Sequence, residues 1–406
     1  MDNESQGVVR TQEIIRSVVR KDGREFPIEG CCKPKFAAVR EAFETNYKVE
    51  EEIGSCVSVV VDGVQVVDLW GGFKDRAYTK PWERDTILCM MSVGKGVAAI
   101  TFYTLIDRGL VKLDAPIAKY WPEFAQAGKE KIPVRYALDH RAGLSIITEK
   151  LPRGSIFDFD AIVGALARQK PLWEPGTKSG YHIHNQGFLL GEITRRVTGQ
   201  TLRGLFHERI ARPLGLDYYI GCLSKEDQRR CSETIPNYQG TLLSSMKDAP
   251  ETMLAHAWDE WPEGDQYPVL NSAAWREAEI SSGNGHGTAR AVARLYGAMA
   301  RGGEVDGIRI LSEAAVSEMT TEQHNLTEVM MNRAYHQALG ILLNSPPIAW
   351  MGPNPKSFGH HGIGGSIGFA DRDVKLGFGF GVNKWHAQQD NGPRGRRLIE
   401  AVYSCL

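Results

Sequence analysis

Two stretches with the pattern of β-hairpins lie near opposite ends of the chain, and they constrain its fold more than any other feature. In the first, β-rich residues 56–61 and 64–70 flank an Asp-Gly dipeptide, which is typical of two-residue hairpin turns. In the second, residues 366–370 and 375–382 flank a short polar turn. We therefore predict one antiparallel sheet made from both ends of the chain.

Helical periodicity dominates the sequence between these hairpins and returns at both termini. Gly109 and Gly199 follow two of the periodic runs, where helix ends favour a left-handed residue. The fold class is therefore α+β: a single domain over 1–406, with a sheet lobe of about 1–90 plus 335–406, flanked by helices, and a mostly helical inserted lobe of about 91–334. The predicted helices cover residues 34–47, 96–108, 159–169, 188–198, 202–210, 289–300 and about 394–403.

The segment 221–287 has no clear periodicity and is rich in Pro, Gly, Trp and acidic residues. Long irregular segments in compact enzymes are often lids or binding loops. The sequence equally permits a packed connector held by its tryptophans.

The composition of the chain restricts the kinds of molecule that it is expected to bind. A net charge of −1 gives no basic surface for nucleic acid. Seven cysteines without paired CxxC spacing indicate reduced thiols and a reducing compartment. The polar N-terminus lacks a signal-peptide layout, and no apolar run reaches the length of a membrane span, so we predict a cytoplasmic protein with no membrane partner. The expected partner is a small molecule, and a homodimer is compatible with the sequence.

The candidate chemistry begins at Ser92, which stands three residues before Lys95 at the start of a periodic helix with a predicted apolar face. This spacing places a lysine amine beside a serine hydroxyl, and the helix N-terminus supplies free N–H groups. A serine becomes a nucleophile when a neighbour takes its proton, and a lysine can do so when burial lowers its pKa. An SxxK tetrapeptide alone is common, most often as a capping serine with a solvated lysine.

Three further elements follow in order: residues 138–144 (LDHRAGL), 173–183 (WEPGTKSGYHI) and 358–366 (FGHHGIGGS). Together with the SxxK motif they resemble the family of serine β-lactamases, penicillin-binding proteins and, most closely, β-lactamase-like carboxylesterases of family VIII. The resemblance covers roughly residues 40–405. It implies a β-lactamase/transpeptidase-like fold and a serine hydrolase that needs no metal or organic cofactor.

The resemblance also implies roles for individual residues. Ser92 matches the acylated serine, Lys95 its partner, and Tyr181 the tyrosine that shuttles a proton. His360 to Gly362 lie where lactamases carry Lys-Thr-Gly, so His360 and Gly362 are candidate substrate-binding residues, and the N–H groups of Ser92 and Ile363 would form the oxyanion hole.

The sequence departs from the lactamase pattern at polar positions. Ile183 replaces the asparagine of Tyr-x-Asn, and His360 and His361 replace the lysine and threonine that hold an antibiotic. These departures favour hydrolysis of a small ester. The alternatives left open are an amidase or peptidase for D-amino-acid or modified peptides, an acyltransferase, and a non-catalytic sensor.

Several residues permit competing interpretations. Ser366 lies in a literal G-x-S-x-G, but too little sequence follows it for the acid and histidine of an α/β-hydrolase. His182 and His184 form an HxH pair without a third metal ligand. His140 is expected to support the helical lobe, and residues 284–287 could lie at the rim of the site.

Overall fold

The computed structural model describes residues 12–49, 52–221, 223–238, 253–387 and 391–406. In these ranges the strands are β1 (Gln12–Val19), β2 (Glu25–Cys32), β3 (Gly54–Val61), β4 (Val64–Gly72), β5 (Leu88–Cys89), β6 (Tyr218–Ile220), β7 (Gly285–Gly287), β8 (Glu304–Val305), β9 (Ile308–Arg309), β10 (Thr327–Glu328), β11 (Arg333–Ala334), β12 (Leu342–Leu343), β13 (Phe358–His361), β14 (Ile367–Asp371) and β15 (Leu376–Val382). The helices are α1 (Ala37–Val49), α2 (Val93–Asp107), α3 (Val134–Leu138), α4 (Phe159–Arg168), α5 (Asn185–Thr198), α6 (Leu202–Phe206), α7 (Arg212–Leu214), α8 (Lys225–Arg230), α9 (Met253–His256), α10 (Gln266–Leu270), α11 (Ala273–Glu277), α12 (Ala289–Ala300), α13 (Glu313–Met319) and α14 (Gly392–Ser404).

The main sheet has eight antiparallel strands in the order β1-β2-β4-β3-β15-β14-β13-β12. Both predicted hairpins are present, and Asp62 and Gly63 in the first turn have φ of 47° and 81°, as a two-residue hairpin turn requires. Strand β15 pairs with β3 along its whole length, from Leu376 opposite Val61 to Val382 opposite Ser55. The prediction of one sheet built from both chain ends is confirmed.

The hairpin of β1 and β2 was not predicted from the sequence. Strand β2 contains Pro27 and Gly30, two residue types that normally weaken a strand assignment. Gly30 has φ of 125°, and a Cβ there would lie 2.0 Å from the Asp68 carbonyl oxygen, so the close pairing with β4 requires a glycine. Gly30 therefore weakens the sequence signal for β2 and also permits its pairing with β4.

Glycine and phenylalanine alternate along β15, so that its two faces pack against different helices. Gly377 and Gly379 face α12, and a Cβ on either would lie 2.3 Å from a backbone atom of that helix. Phe378 and Phe380 point to the opposite face and share a buried cluster with residues of α1 and α14. Helix α12, which lies inside the range predicted for the helical lobe, thus packs directly on the sheet.

Helix α2 is the central helix of the molecule. Its sequence predicted one apolar face over 96–108, but the helix begins at Val93 and is buried on all sides from Val93 to Leu105. Ala98, Ala99 and Phe102 supply the apolar groups on the remaining faces. Most of the other predicted helices lie within a few residues of their predicted bounds, and Gly109 and Gly199 have φ of 71° and 73°. Helix α6 ends early at Phe206 and continues as a π-turn over His207–Ala211. In the described part of the chain, no helix combines the length and the apolar character of a membrane span.

The described part of the 221–287 segment is a packed connector with short helices. Trp258, Trp261 and Trp275 are buried, with ring centroids 4.5 Å and 5.0 Å apart in sequence order. Residues 222 and 239–252 of this segment lie outside the described residues.

Substituting Gly379 by Ala should destabilise the fold, because the new methyl group would lie 2.3 Å from the Ala289 carbonyl oxygen. We expect the free energy of unfolding to fall by about 1–3 kcal/mol, as for other overpacked sites. Gly395→Ala is the matched control on the other face, where the nearest atom is 3.7 Å away and helix propensity favours Ala by up to about 1 kcal/mol. Urea denaturation of both variants measures the difference, and equal effects would contradict the close-approach argument.

Candidate active site

A short strand and a strained residue place Ser92 at the start of α2. Strand β5 pairs with β7, and the Met90 N–H continues this pairing by donating to the Gly285 carbonyl oxygen at 2.9 Å. Met91 then takes a left-handed conformation, with φ of 49°. Ser92 occupies the N-cap position of α2 without using its side chain as a cap. Its hydroxyl therefore remains free for other hydrogen bonds.

Lys95 lies one turn further along α2 and is fully buried. Its ammonium nitrogen donates to the carbonyl oxygens of Ile183 at 2.6 Å and Ser282 at 3.1 Å, and it lies 4.6 Å from the centre of the Tyr181 ring. Among the described residues no carboxylate forms an ion pair with it. Burial therefore lowers the pKa of Lys95 well below its ordinary value, which favours the neutral amine.

Tyr181 completes a compact group with Ser92 and Lys95. Burial raises the pKa of Tyr181, while a hydrogen bond with the Ser92 side chain acts in the opposite direction. The structure thus brings together the three residues that the sequence singled out as catalytic candidates: the Ser92 side chain interacts with the phenol, and the Lys95 amine lies against the phenol ring.

Neutral histidines surround this group. The Nδ1 atoms of His140 and His182 are 3.1 Å apart, and the rings of His140 and His360 have centroids 4.9 Å and 6.1 Å from that of Tyr181. Burial lowers the pKa of His182 and His361 to about 3 and holds those of His140 and His360 well below the ordinary value. The sequence had assigned His140 to support of the helical lobe, whereas its ring contacts Tyr181.

The end of β13 closes on the residues before Ser92. A Cβ on Gly362 would lie 2.3 Å from the Met90 carbonyl oxygen, so this approach requires a glycine. The Gly362 N–H donates to the Ser366 carbonyl oxygen at 2.7 Å and is not free to bind an oxyanion. In the described ranges the N–H groups of Ser92 and Ile363 have no hydrogen-bond partner.

The other residues considered for a nucleophile or a metal site lie in packed, hydrogen-bonded surroundings. Ser366 is buried just before β14, and its hydroxyl accepts from the Val382 N–H at 3.4 Å, so it does not lie on a strand-to-helix elbow. His184 Nε2 accepts from the Trp261 indole N–H at 3.1 Å. Within the residues that the structure describes, no three His, Cys, Asp or Glu side chains form a group that could hold a metal ion.

Several site contacts were not predicted from the sequence. The Ile183 and Ser282 carbonyls that hold Lys95 carry no sequence signal, because any residue supplies a carbonyl. Glu328, whose carboxylate accepts the Tyr181 N–H at 3.2 Å, has no motif around it. Residues 284–287, considered for the rim, include strand β7 and are buried, with β7 paired to β5 ahead of Ser92.

Comparison with known proteins identifies the class of this site. The β-lactamase family model matches residues 40–403. The esterase/β-lactamase LipL of Mycobacterium tuberculosis is 35% identical over 91% of this chain and 86% of its own length. The crystal structure of a family VIII carboxylesterase is 39% identical with a TM-score of 0.85, and that of a penicillin-binding protein homologue from Caulobacter crescentus is 38% identical with a TM-score of 0.84. Each comparison covers 93% of this chain and all of the other. The fold is β-lactamase/transpeptidase-like, and the chain belongs to the β-lactamase family of serine hydrolases.

Proposed function

We propose that this enzyme cleaves a small carboxylic ester through an acyl-enzyme on Ser92. The observation that carries the proposal is the position of the buried Lys95 amine, which lies 4.6 Å from the centre of the Tyr181 ring and one helical turn from Ser92. A neutral amine and a phenol beside the Ser92 hydroxyl are groups that can accept its proton and return it.

The reaction proceeds in two steps. Ser92 loses its proton to the Lys95 and Tyr181 pair and attacks the ester carbonyl, and the N–H groups of Ser92 and Ile363 stabilise the tetrahedral oxyanion. The C–O bond to the alcohol then breaks, and the alcohol leaves with a proton delivered by Tyr181. Water attacks the acyl-enzyme by the same route in reverse, and it releases the acid and regenerates Ser92.

An ester fits this site better than a lactam or a peptide. The positions that hold polar and cationic groups in lactamases carry Ile183, His360 and His361, and the two histidines have pKa values lowered by burial. They offer no cation to bind an antibiotic carboxylate. The 39% identical relative is a carboxylesterase, although the name of LipL includes both esterase and β-lactamase. The location that we propose is the cytoplasm, with a small molecule as the partner.

Intact mass spectrometry after incubation with a fluorophosphonate tests the nucleophile. We expect one adduct on the wild type and none on Ser92→Ala, because the reagent reacts with an activated serine hydroxyl. Ser366→Ala serves as the control and should label as the wild type does, since that hydroxyl accepts a backbone hydrogen bond within the sheet. Labelling that persists in Ser92→Ala and disappears in Ser366→Ala would refute the mechanism.

Lys95→Arg should lower kcat by about 10²–10⁴-fold, because a guanidinium stays charged and cannot accept a proton. In the wild type, kcat/KM should fall as the pH drops through the lowered pKa of Lys95, where the amine becomes protonated. Lys129→Arg is the matched control: Lys129 is also fully buried and donates to carbonyl oxygens, of Gln126 at 3.0 Å and Ala167 at 3.1 Å, outside the catalytic group. Stopped assays between pH 5 and 10 measure both variants; equal losses of kcat would show that Lys95 is structural.

Parallel assays with a short-chain 4-nitrophenyl ester, nitrocefin and a D-alanine anilide test the substrate class. We expect kcat/KM for the ester to exceed that for nitrocefin by at least about 10–100-fold, the equivalent of one missing charge-assisted hydrogen bond to the lactam's carboxylate. It should also exceed kcat/KM for the anilide, because an amide carbonyl is less reactive than an ester carbonyl. Ser92→Ala should abolish every activity that belongs to this site. Amide or lactam turnover above ester turnover would reverse the assignment.

A further inference from the structure

The catalytic tyrosine lies on a segment without helix or strand, so its position depends on individual hydrogen bonds. Residues 179–182 lie between two neighbouring segments of the chain. One segment forms hydrogen bonds with Gly180 and His182, and the other with Ser179 and Tyr181. On one side, the N–H groups of Gly180 and His182 donate to the carbonyl oxygen and Nδ1 of His140, at 3.0 Å and 3.2 Å. This side fixes the residues before and after the tyrosine.

The hairpin of β10 and β11 contacts the other residues of the segment. The Val329 N–H donates to the Ser179 carbonyl oxygen at 2.9 Å, and the Tyr181 N–H donates to Glu328 Oε2 at 3.2 Å. In the described part of the chain this carboxylate is the hydrogen-bond acceptor for the Tyr181 N–H, since no backbone acceptor serves it.

The buried carboxylate of Glu328 accepts three hydrogen bonds from backbone N–H groups. Its side chain is shielded from solvent, and besides Tyr181 it accepts the N–H groups of Met330 at 2.8 Å and Met331 at 2.7 Å. The same carboxylate thus closes its own hairpin and holds the tyrosine segment. Burying a charge is costly unless such donors compensate it, so a carboxylate at this place needs a reason beyond turn formation, which a neutral side chain could also support.

We propose that Glu328 is a positioning residue that holds Tyr181 in place for the proton transfer to the leaving group. This role rests on the proposed function, because it requires Tyr181 to deliver that proton. Glu328 touches the backbone of the tyrosine and acts through it.

The charges around Tyr181 agree with this role. The negative charge of Glu328 raises the pKa of Tyr181 and the positive charge of the nearby Arg333 lowers it, although burial is the largest cause of the shift. Burial, with a smaller contribution from Glu328, keeps the phenol protonated and ready to donate to an alkoxide as the C–O bond breaks.

Two esters of the same acid separate positioning from simple stability. Ethyl butyrate needs a proton on its leaving alkoxide, whereas 4-nitrophenyl butyrate releases a stable phenolate without one. The variants are Glu328→Gln, Tyr181→Phe as the benchmark, and Glu322→Gln as the control. Glu322 lies on the surface, where it contacts His336 Nδ1 at 2.8 Å. The ratio of kcat/KM for the two esters on one preparation is independent of how much of that preparation is folded.

We expect Glu328→Gln to lower kcat/KM for ethyl butyrate at least about tenfold more than for 4-nitrophenyl butyrate, the effect of losing one charged hydrogen bond in the transition state. Tyr181→Phe should change the ratio in the same direction and further, and Glu322→Gln should leave it unchanged.

Equal losses for both esters in Glu328→Gln would show that the residue only stabilises the fold and would overturn the proposal. An unaltered Glu328→Gln beside an impaired Tyr181→Phe would overturn it as well and leave the proposed function intact. Full activity of Tyr181→Phe on ethyl butyrate would instead overturn the mechanism itself, and the role of Glu328 with it.

Discussion

The burial of one amine is the constraint on which the rest of the site depends. The lowered pKa of Lys95 depends on keeping its amine from water, and that requires protein on every side of α2. The Ile183 and Ser282 carbonyls satisfy two of its donors, so the amine is desolvated without being left unpaired. These carbonyls belong to two loops distant in sequence, and both loops must be in place before the lysine has its lowered pKa.

Close backbone packing between sheet and helices makes this burial possible. Gly377 and Gly379 let α12 lie directly on β15, and Gly362 lets the end of β13 reach the residues before Ser92. A Cβ at position 96 of α2 would meet the Tyr296 hydroxyl on α12 at 2.2 Å, so the central helix depends on the same kind of contact. Small residues thus act at the points where the layers meet, and larger ones would force the serine away from its partners.

The sequence predicted those parts that depend on local patterns. The hairpins were predicted from β-rich runs around short turns, one of them Asp-Gly, and most helix bounds from periodicity. Ser92, Lys95 and Tyr181 were predicted from the resemblance of their motifs to a family. The sequence did not predict the hairpin of β1 and β2, because Pro27 and Gly30 interrupt the pattern of β2. It also predicted one apolar face for α2, whereas that helix is buried on all sides. The contact of Glu328 with the Tyr181 N–H and those of Lys95 with two carbonyl oxygens join residues more than 80 positions apart. Each has a backbone group as one partner, and the sequence carries no signal for such a partner.

The site itself is built at a cost in stability. Met91 adopts a left-handed conformation that costs a non-glycine residue about 1–3 kcal/mol. His182 Nε2 and His361 Nε2 are buried without a partner among the described residues, and such atoms cost about 1–3 kcal/mol each. The two histidines lie near Lys95, as does His360, and burial keeps their imidazoles uncharged. They place polar but uncharged atoms around the buried amine.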